Sequence, residues 1–576
     1  MKTLTNIEKA IMRKRGFVEE KDMLAYLNLR VEDLPLFSML VDGKKLLDGL
    51  NTSIDKKEKI TIYGDYDADG VMAMTILFKG LDKLSPGNIR WFANNRFRDG
   101  YSITPDTLLH MLAENHDTDV ILSCDNGIGA KEAWDEAVKK GIKVFVTDHH
   151  EQPSDRVLSP DIPAVCEKSV KQKEEYLRAG KEPEEFCGAE LARRLVYELY
   201  RIRGIAEDNK AFLNSLCAYS GVATITDVVP LKAGNHCIAR CAIETIRKDN
   251  GFWRYMYEGI SGGNRQREAD EDFFGFYLGP SINACSRVNG SVELPMDVFL
   301  CDESREEELR LLIDRMNGIN LERRNWTDED LSSCEKFIKE NGYSNDDFIL
   351  VVCDSLREGI NGLSAGRLTE KYNVPVIVLG PSENPGIYKG SARSVESINI
   401  FEELFECRDL LLAYGGHPKA AGLSVNVDHI DELRSRMKES ISKKIVKEEA
   451  ISSGVDFTLV PSHFTEDYIN GINEALEELL PFGEGFSKPG FYMECDIKNI
   501  RYLSEGAHAK LELNLRSADN RQMQLMMWNK GDYCRQWCEK NSFRMPHAKG
   551  LVGRLNVNEY NGYISYQMNG TRIELV

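Results

Sequence analysis

Short runs of β-branched and aromatic residues alternate with helical stretches between about residues 60 and 230. Three of these runs are continuous rather than alternating: Ile60-Thr61-Ile62-Tyr63, Val120-Ile121-Leu122-Ser123 and Val144-Phe145-Val146-Thr147. Continuous runs are typical of parallel strands that are covered by helices on both faces. The pattern therefore predicts an α/β unit with a parallel sheet.

A second α/β signal follows at Phe348-Ile349-Leu350-Val351-Val352 and Val376-Ile377-Val378-Leu379. Between the two signals lies a charged stretch from Glu303 to about Lys339. Its apolar positions recur at helical spacing: Leu309, Leu312, Met316, Ile319 and Trp326. This spacing predicts one or two long helices that join two α/β lobes.

Beyond about residue 450 the pattern changes to alternating apolar and polar positions. The alternation is clearest at 511–515, 522–526 and 563–567. Alternation of this kind indicates antiparallel strands with one face buried, as in a small barrel or sandwich. The chain of 576 residues also exceeds the roughly 250–300 residues at which single cores stop growing, so several domains are expected.

The charge balance is acidic, with 73 Lys+Arg against 92 Asp+Glu and a net charge of −19. Taken alone, this balance argues against bulk electrostatic binding of nucleic acid or an anionic membrane. No apolar run reaches the roughly 18 residues that span a bilayer. Charged residues interrupt any signal-peptide core in the first fifteen positions, so we expect a cytoplasmic protein with no membrane partner.

The fourteen cysteines include no CxxC pair and lie mostly in apolar contexts, which predicts reduced thiols in the core. The closest spacings are CxxxC, at Cys237/Cys241 and Cys534/Cys538. Neither pair has a second ligand pair nearby, so each is a weak zinc signal.

The most informative segment is Gly64-Asp65-Tyr66-Asp67-Ala68-Asp69-Gly70, which follows a predicted strand and precedes a helical run. Carboxylates at i, i+2 and i+4 on such a turn can converge on a divalent cation. A calcium-binding EF-hand loop also begins in this way, but its twelfth position is Ile76 here instead of the required Glu. A solvated acidic turn without metal is the remaining alternative.

Two further predicted strands end in polar residues, one in Asp125-Asn126-Gly127 and the other in Asp148-His149-His150. The carboxyl ends of parallel strands lie at one edge of a sheet, so these side chains and the aspartates after the first strand are expected to line one cleft. Mixed carboxylate and imidazole ligands suit Mn²⁺ and tolerate Mg²⁺, and a shared carboxylate can hold two ions. Such a pair of ions favours hydrolysis of a phosphoester.

These segments, in this order and with the later Thr226-Asp227-Val228-Val229-Pro230, resemble the four motifs of the DHH phosphoesterase superfamily. Residues 389–394 and the Gly415-Gly416-His417 segment resemble its DHH-associated domain. Residues 480–485 resemble the entry to the OB-fold of RecJ-type single-strand-specific exonucleases. The resemblance extends over nearly the whole chain from about residue 35.

The resemblance implies a two-metal site for Mn²⁺ or Mg²⁺ with Asp125 as the bridging ligand. The implied metal ligands are Asp65, Asp67, Asp69, Asp125, His149 and Asp227. It also implies that His150 contacts the scissile phosphate and that Asp148 orients its neighbours. The implied contacts to the DNA backbone and terminal phosphate are Arg96, Asn283, Arg287, Arg367, Ser391, Arg393, Gly415, Gly416 and His417.

The fold that the resemblance implies is α/β, with a DHH catalytic domain and a DHH-associated domain joined by a long helix, plus a C-terminal OB-fold-like β-barrel. The predicted boundaries are an N-terminal helical segment at 1–52, the catalytic domain at 53–295, the connecting helix at 296–342, the DHH-associated domain at 343–448 and the single-strand-binding domain at 449–576.

The implied activity is a 5′-to-3′ exonuclease that degrades single-stranded DNA to 5′-mononucleotides in DNA repair and recombination. The implied partners are single-stranded DNA with a 5′ end, a single-strand-binding protein and a helicase. Residues 501–576 agree with this, because they hold 11 Lys+Arg against 7 Asp+Glu. They also supply aromatic candidates for base stacking, which could equally be core residues: Tyr502, Trp528, Tyr560, Tyr563 and Tyr566.

The sequence departs from the family at two points that concern handling of the DNA strand. Leu356-Arg357-Glu358-Gly359 stands where the family often has Trp-His-x-Gly, and Ser286 interrupts its Ile-Asn-Ala-Ala-Gly-Arg run. Two other functions stay open at this point. One is a phosphodiesterase for oligoribonucleotides or cyclic dinucleotides, and the other is a non-catalytic replication or repair scaffold with the same fold.

Overall fold

The computed structural model describes residues 3–261, 268–382, 384–444, 455–460, 463, 466–493, 495–514, 522–540, 550–560 and 563–574. The chain divides into two compact units. The larger unit contains Pro35–Asp227 and Cys241–Glu448, and the smaller unit contains Met1–Leu34, Val228–Arg240 and Glu449–Val576.

The first sheet of the larger unit is parallel throughout, as the continuous apolar runs predict. Its strands are β1 (Ile60–Gly64), β2 (Ile89–Ala93), β3 (Val120–Cys124), β4 (Lys143–Thr147) and β5 (Ala164–Val165). They pair in the order β2-β1-β3-β4-β5. The middle strands β1 and β3 are buried at every position, so only their carboxyl ends can offer side chains to a ligand.

Helices cover this sheet and continue the larger unit toward its second lobe. They are α3 (Gly43–Asp55), α4 (Ala68–Asp82), α5 (Pro105–Glu114), α6 (Lys131–Lys139), α7 (Val170–Ala179), α8 (Gly188–Ile202), α9 (Lys210–Thr226), α10 (Ala233–Lys248), whose residues up to Arg240 belong to the smaller unit, α11 (Phe252–Ile260), α12 (Glu271–Phe273), α13 (Gly279–Asn289) and α14 (Glu293–Leu300). A π-helical turn at Phe274–Leu278 precedes α13. Helix α4 is buried along almost its whole length, because it packs between the sheet and α8 and α9.

The predicted connection between the lobes is one helix, α15 (Glu306–Glu340), of 35 residues. Of the predicted apolar positions, Leu309 and Met316 are buried and the other three are half-buried, namely Leu312, Ile319 and Trp326. Ile313, which the prediction did not include, is also buried. Asn320 is also buried and donates from Nδ2 to Ser281 Oγ on α13 at 3.0 Å. Helix α15 is therefore fixed to the first lobe by both apolar and polar contacts.

The second lobe contains a mixed five-stranded sheet. Its elements are β6 (Ile349–Val352), α16 (Asn361–Tyr372), β7 (Val376–Pro381), β8 (Ile387–Arg393), α17 (Ile400–Glu406), β9 (Leu411–His417), β10 (Ala420–Asn426) and α18 (Ile430–Lys444). The order is β6-β7-β8-β10-β9, in which only β6 and β7 are parallel. The apolar pattern indicates β6 and β7, but β8 and β9 escape it because they are rich in glycine and basic residues.

The smaller unit contains a seven-stranded sheet and four helices. These elements are α1 (Asn6–Lys14), α2 (Glu20–Leu27), β11 (Phe457–Leu459), α19 (Glu466–Glu478), β12 (Phe491–Met493), β13 (Asp496–Leu503), β14 (His508–Asn514), β15 (Gln522–Met527), α20 (Gly531–Lys540), β16 (Gly550–Tyr560) and β17 (Tyr563–Glu574). The segments 511–514, 522–526 and 563–567 form strands, as predicted, in β14, β15 and β17. The prediction that they are antiparallel is correct for β14 and β15 but wrong for β15 and β17, which pair in parallel. Among the described strands the order is β11-β12-β16-β17-β15-β14-β13. The sheet therefore has two edges instead of closing into the predicted barrel, with the three-residue β11 at one edge and β13 at the other.

The first 34 residues pack with the C-terminal part of the chain rather than forming a separate helical segment. Arg15 makes a two-pronged ion pair with Asp456, at 2.8 and 3.0 Å, and donates from Nε to Ser487 O. Tyr26 donates to Leu231 O at 2.7 Å and its ring lies 5.3 Å from that of Phe486. Contacts between distant parts of the chain therefore build this unit.

All fourteen cysteines are free thiols, and eleven of them are buried. Cys237 Sγ contacts Leu29 O at 3.0 Å, and no cysteine of the described residues belongs to a group with metal-ligand spacing. Within the described ranges, no helix combines the length and apolar character needed to cross a bilayer.

The Arg15 ion pair yields a prediction about the stability of the smaller unit. The two side chains are only 8% and 14% exposed. Although burial opposes it, the hydrogen bonds from Arg15 lower the pKa of Asp456. Asp456→Asn should therefore destabilise this unit by about 2–3 kcal/mol at pH 7. The difference from the wild type should shrink as the pH falls from about 4 through the lowered pKa of the folded carboxylate, because the unfolded chain binds a proton at Asp456 first.

Differential scanning calorimetry of both proteins between pH 3 and 7 measures this effect. Asp409→Asn is the control, because Asp409 forms an exposed ion pair with Arg436 at 2.8 Å, and exposed pairs contribute little to stability. Equal losses in the two variants would contradict the prediction.

Candidate metal centre

The predicted site residues meet at the carboxyl ends of three adjacent strands. Asp65 follows β1, Asp125 follows β3, and Asp148 with the two histidines follows β4. Because β1, β3 and β4 are neighbours and parallel, these ends lie at one edge of the sheet. Asp227 joins them from the C-terminal end of α9.

The turn after β1 is held by hydrogen bonds from its own backbone amides. Asp67 is the N-cap of α4, and its Oδ1 accepts from Gly70 N at 3.0 Å. Asp65 Oδ1 accepts from Tyr66 N at 2.7 Å. A Cβ on Gly70 would lie 2.4 Å from Asp65 O, so only glycine permits this tight turn. The turn therefore fixes the direction of both aspartates before any metal is present.

Asp69 is fixed from the opposite side by the first turn of α8. Its two carboxylate oxygens accept from Gly188 N and Ala189 N, both at 2.7 Å. Free amides at a helix N-terminus favour a negative charge at this place. Gly188 is required for the close approach, since a Cβ there would lie 2.5 Å from Asp125 Cβ.

His149 lies among the carboxylates. Its Nε2 is 3.0 Å from Asp125 Oδ1 and 3.6 Å from one oxygen each of Asp69 and Asp227. Ligand atoms within 4.8 Å of one another form three overlapping groups: Asp65, Asp67 and Asp125; Asp69, His149 and Asp227; and Asp125, His149 and His150. Asp125 belongs to two of the groups, which is the arrangement that a shared ligand between two ions requires.

Burial makes the charged form of these carboxylates unfavourable unless a cation binds. It raises the pKa of Asp65 and of Asp125 well above the usual range, and like-charged neighbours add to the effect. It also raises the pKa of Asp69 and brings that of Asp227 to about 8. Burial lowers the pKa of His149 to about 4, so its ring is neutral and free to act as a ligand.

Several buried ligand atoms have no hydrogen-bond partner in the described structure. These atoms are Asp65 Oδ2, Asp125 Oδ1 and both ring nitrogens of His149. Buried polar atoms without partners are rare in folded proteins, and an ion is one of the standard explanations. Oxygen and imidazole donors around a bridging carboxylate suit Mn²⁺ and Mg²⁺. The residues present therefore fit a pair of divalent cations.

Asp148 and His150 form an ion pair beside this cluster. Asp148 Oδ1 accepts from His150 Nδ1 at 2.8 Å and from His149 N at 2.7 Å, and its Oδ2 accepts from Ile128 N at 2.8 Å. Burial opposes charge on both groups, but their attraction is stronger. It lowers the pKa of Asp148 to about 2 and raises that of His150 to about 9. His150 therefore carries a proton at neutral pH.

Four arginines gather on the side of the metal centre near Asp67, and we call them the arginine group: Arg96, Arg287, Arg323 and Arg393. Burial and the other three cations lower the pKa of Arg287 to about 9. Burial, with neighbouring cations, lowers that of Arg323 to about 10. Positive charges that lie close together repel one another unless an anion binds between them. Their grouping therefore indicates a site for an anion.

Arg96 lies in the loop after β2, Arg287 lies on α13, and the loop before α16 packs beside Arg287. Arg96 N donates to Gly290 O at 2.8 Å, and its guanidinium lies 5.0 Å from the centre of the Tyr66 ring. A Cβ at Gly359 would lie 1.9 Å from Arg287 O. The loop before α16 thus packs directly against α13, and both lobes contribute to the anion site.

The predicted phosphate contacts of the second lobe lie across three paired strands. Ser391 pairs with Gly422, which pairs with Gly415. In the next row, Arg393 and His417 are the two partners of Ala420. Gly415, Gly416 and His417 are all exposed on the edge strand β9. These residues form a continuous polar surface beside Arg393.

Two predicted contacts have other partners. Asn283 Oδ1 accepts from Ala68 N at 2.8 Å, so this oxygen holds the start of α4. Arg367 is exposed and pairs with Asp328 on α15 at 3.0 Å. It lies near enough to lower the pKa of Arg323. Asn283 Oδ1 and Arg367 Nη1 thus have partners within the protein, and both residues border the site.

The two departures from the family pattern have structural roles. Arg357 pairs with Asp330 at 2.7 Å and with Glu329 at 2.6 Å, and its guanidinium lies 5.0 Å from the Trp326 ring centre. It therefore ties the second lobe to α15. Ser286 is buried and donates to Asn283 O at 3.2 Å within α13.

The sequence interpretation missed three residues of the site: Tyr66, Tyr101 and Arg323. Tyr66 supports Arg96, and Tyr101 lies 2.7 Å from His150 Nε2. The tyrosines stand inside or next to quoted motifs, but nothing in their spacing marks them as partners of other side chains. Arg323 is one charge among many on α15, and only helix packing reveals its neighbours.

The aromatic candidates of the C-terminal region have mixed outcomes. Tyr502 and Trp528 are 39% and 49% exposed, so neither belongs to the core. Tyr502 lies 5.1 Å from the Arg535 guanidinium. Trp528 donates from Nε1 to Asn569 at 3.1 Å. The side chains of Tyr560, Tyr563 and Tyr566 lie outside the described residues.

An open parallel sheet with carboxylates and imidazoles at its strand ends, next to a group of arginines, defines a divalent-metal phosphoesterase class of site. Family models match three stretches of the chain. The DHH family N-terminal domain matches residues 59–220, the DHHA1 domain 345–443 and the RecJ OB domain 455–571. The last match supports the OB-type interpretation of the C-terminal sheet.

Curated proteins named single-stranded-DNA-specific exonuclease RecJ are similar to the chain over most of its length. The Bacillus subtilis (strain 168) protein is 29% identical over 569 residues, which cover 97% of this chain and 66% of that protein. The Thermus thermophilus protein is 25% identical over 564 residues, which cover 96% and 73%. The chain thus spans about two thirds of the first relative and about three quarters of the second.

Two solved structures of RecJ from Thermus thermophilus share the fold. The complex with Mn²⁺ has a TM-score of 0.77 at 22% identity and covers 99% of this chain and 76% of that one. The complex with Mg²⁺ has a TM-score of 0.71 at 22% identity, with 99% and 74% coverage. The three matched domains, in this order, and the named relatives make the chain similar to RecJ-type proteins of the DHH family.

The cluster geometry predicts the behaviour of a variant at the shared ligand. Asp125→Asn keeps the shape of the side chain but removes its charge, so Mn²⁺ affinity should fall at least about 100-fold. The metal-free variant should unfold at the same temperature as the wild type or above it, because a buried like charge is removed. The rise in unfolding temperature that Mn²⁺ gives the wild type should be lost.

Isothermal titration with Mn²⁺ and thermal unfolding with and without the ion measure these quantities. Asp117→Asn is the matched control, since Asp117 only pairs with Arg90 in a half-exposed position. If the Asp125 variant keeps the full stabilisation by Mn²⁺, this residue is not a metal ligand.

Proposed function

We propose that the protein is a metal-dependent exonuclease that degrades single-stranded DNA from its 5′ end and releases 5′-mononucleotides. The observation that carries the proposal is the arginine group beside the carboxylate cluster. A cluster of ligands alone fits many phosphoesterases, but a second anion site next to it suits a substrate with a terminal phosphate. The named activity of the relatives agrees with this function.

The carboxylates and His149 would hold the divalent ions. Mn²⁺ or Mg²⁺ at these ligands supplies a nucleophile from water at neutral pH and offsets charge on the phosphate oxygens. The protein contributes the rest of the chemistry through fixed groups. The amides of Gly188 and Ala189 hold Asp69 in place, and the turn at Gly70 holds Asp67.

His150 contacts the scissile phosphate through Nε2. Asp148 binds the other ring nitrogen, keeps the imidazole protonated and fixes its direction. A protonated imidazole donates to a phosphate oxygen and offsets negative charge as the bond to the leaving oxygen breaks. Ile128 N donates to Asp148 Oδ2, and this hydrogen bond connects the end of β4 to the loop after β3.

The 5′-terminal phosphate binds between Arg96 and Arg393, with Arg287 behind them. Ser391 lies two residues before Arg393 on β8, so its hydroxyl is on the same face of the strand. A Cβ on Gly362 would lie 2.8 Å from Arg393 Nη2, so the α16 N-terminal turn leaves room for this guanidinium. With the terminal phosphate held here, cleavage proceeds from the 5′ end.

We also propose the finer roles that the resemblance suggests. The exposed Tyr502 and Trp528 stack bases of the single strand in the C-terminal region. The protein acts in DNA repair and recombination in the cytoplasm, where a single-strand-binding protein and a helicase supply its substrate. Its net charge of −19 restricts DNA contacts to these few positive positions.

The direction of digestion is tested with single strands labelled at either end. With Mn²⁺, a 5′-labelled strand should release labelled mononucleotide at once, whereas a 3′ label should appear in mononucleotide only after the strand has been consumed. Asp125→Asn and His150→Ala should reduce release at least about 1,000-fold. Immediate release from the 3′ end, or faster digestion of blunt duplex, would contradict the proposal.

The same assay separates the two other functions. A diribonucleotide or cyclic dinucleotide hydrolysed with a higher kcat/KM than a 20-nucleotide DNA strand would favour the small-substrate phosphodiesterase. Absence of release with either ion from every substrate would favour the scaffold.

The terminal-phosphate role of Arg393 is tested by changing the substrate instead of the metal. Arg393→Gln should raise KM about 10- to 100-fold for a strand with a 5′-phosphate, because a charge-assisted hydrogen bond is lost. KM for a strand with a 5′-hydroxyl should change less than about threefold. Arg436→Gln, which removes an exposed and paired cation of the same lobe, is the control. Equal changes for the two substrates would assign Arg393 to the strand backbone.

A further inference from the structure

The hydroxyl of Tyr101 is the hydrogen-bond partner of the second nitrogen of the His150 ring. Tyr101 Oη lies 2.7 Å from His150 Nε2, and His150 Nδ1 lies 2.8 Å from Asp148 Oδ1. The imidazole is thus held at both nitrogens. A hydrogen bond at Nδ1 alone leaves the ring some freedom to turn about the Cβ–Cγ bond, and the second bond removes it. A tyrosine hydroxyl can donate or accept, so it holds the ring in either protonation state.

The backbone of Tyr101 is fixed independently of its hydroxyl. Tyr101 O accepts from Asn126 Nδ2 at 3.1 Å and from Asn94 Nδ2 at 3.3 Å. Asn94 is buried, and its Oδ1 accepts from the Tyr63 hydroxyl at 3.0 Å. Removal of the Tyr101 hydroxyl therefore leaves the loop that carries Arg96 anchored at its far end.

The Tyr101 ring lies on the open side of the site. It is 47% exposed, while Asp148, the partner of the opposite nitrogen, is 1% exposed. The ring meets those of His150 and Tyr66 edge-on, with centres 5.8 and 6.2 Å apart. His150 Nε2 thus faces the side from which a strand can enter, and the Tyr101 hydroxyl keeps it there.

We propose that Tyr101 is a positioning residue for phosphoester cleavage: in the free protein its hydroxyl holds His150 Nε2 on the side from which the strand enters, and a phosphate oxygen then replaces the hydroxyl as the partner of the Nε2 N–H. The inference rests on the proposed function, because His150 is taken to contact that phosphate. Small errors in the position of such a group are costly, since about 1 Å of displacement can lower the rate on the order of 100-fold. Tyr101 itself makes no contact with the metal ligands in this role.

Two substitutions separate the hydroxyl from the ring. Tyr101→Phe removes only the hydroxyl, and Tyr101→Leu removes the ring as well. If the hydroxyl positions His150, both should lower kcat about 10-fold on 5′-phosphorylated single-stranded DNA with Mn²⁺. KM should stay within about threefold in Tyr101→Phe, because the arginine group is undisturbed. Mn²⁺ affinity in this variant should equal that of the wild type.

Tyr63→Phe is the matched control. It removes a hydroxyl from the anchor of the same loop but none from His150, so its kcat should stay within about twofold of the wild type. The inference is overturned by wild-type kcat in Tyr101→Phe with a loss only in Tyr101→Leu, which would show that the ring stacks on a base. A rise in KM without loss of kcat, or an equal loss of kcat in Tyr63→Phe, would also overturn it.

The proposed function fails in a different way. In that case the wild-type protein itself releases no nucleotide from single-stranded DNA. An active wild type with an unaffected Tyr101→Phe would leave the function intact and remove only the positioning role.

Discussion

Three buried carboxylates lie so close together that the folded chain cannot keep them all charged without a cation. Asp65, Asp69 and Asp125 are each at most 2% exposed, and their charges repel in a medium that screens poorly. Local features of the backbone allow the carboxylates to lie close together despite this repulsion. The turn at Gly70 and the close approach at Gly188 allow the carboxylates to converge, and the first amides of α8 support one of them. A large part of the backbone around β1, β3 and α8 is arranged for this purpose.

The opposite charge is concentrated a short distance away. In the arginine group, burial and repulsion from neighbouring cations lower the pKa of Arg287 and Arg393, just as burial and like charges raise that of Asp125. Each group is unfavourable by itself in the free protein, and each becomes favourable when its partner binds: cations for one, phosphate for the other. A strong local separation of charge is therefore compatible with an acidic protein of net charge −19 that acts on DNA. The total charge of the chain does not describe these two local concentrations of charge, on which the proposed function depends.

The sequence contains most of the information on the first lobe and on the metal ligands. Continuous apolar runs indicate parallel strands, and the strand ends then assign the ligands without knowledge of their distances. Apolar patterns do not predict those elements whose structure depends on strand pairing instead of apolar periodicity. β8 and β9 carry glycine and basic residues because they form a binding surface, so they do not look like strands. Tyr101 and Arg323 have roles only through residues far away in the sequence, which no local pattern can reveal.

The smaller unit also escapes local reasoning, because the first 34 residues form it together with residues 228–240 and the region after residue 448. This composition has a consequence for biosynthesis. Ribosomes extend a chain by about 5–20 residues per second. After residues 3–34 are made, synthesis therefore continues for on the order of half a minute to two minutes before β11 to β17 are available as packing partners. During that time the apolar sides of α1 and α2, with Ile11, Met12 and Met23, have nothing to cover them. The larger unit can complete its core first, and the beginning of the chain is among the last segments to reach its final place.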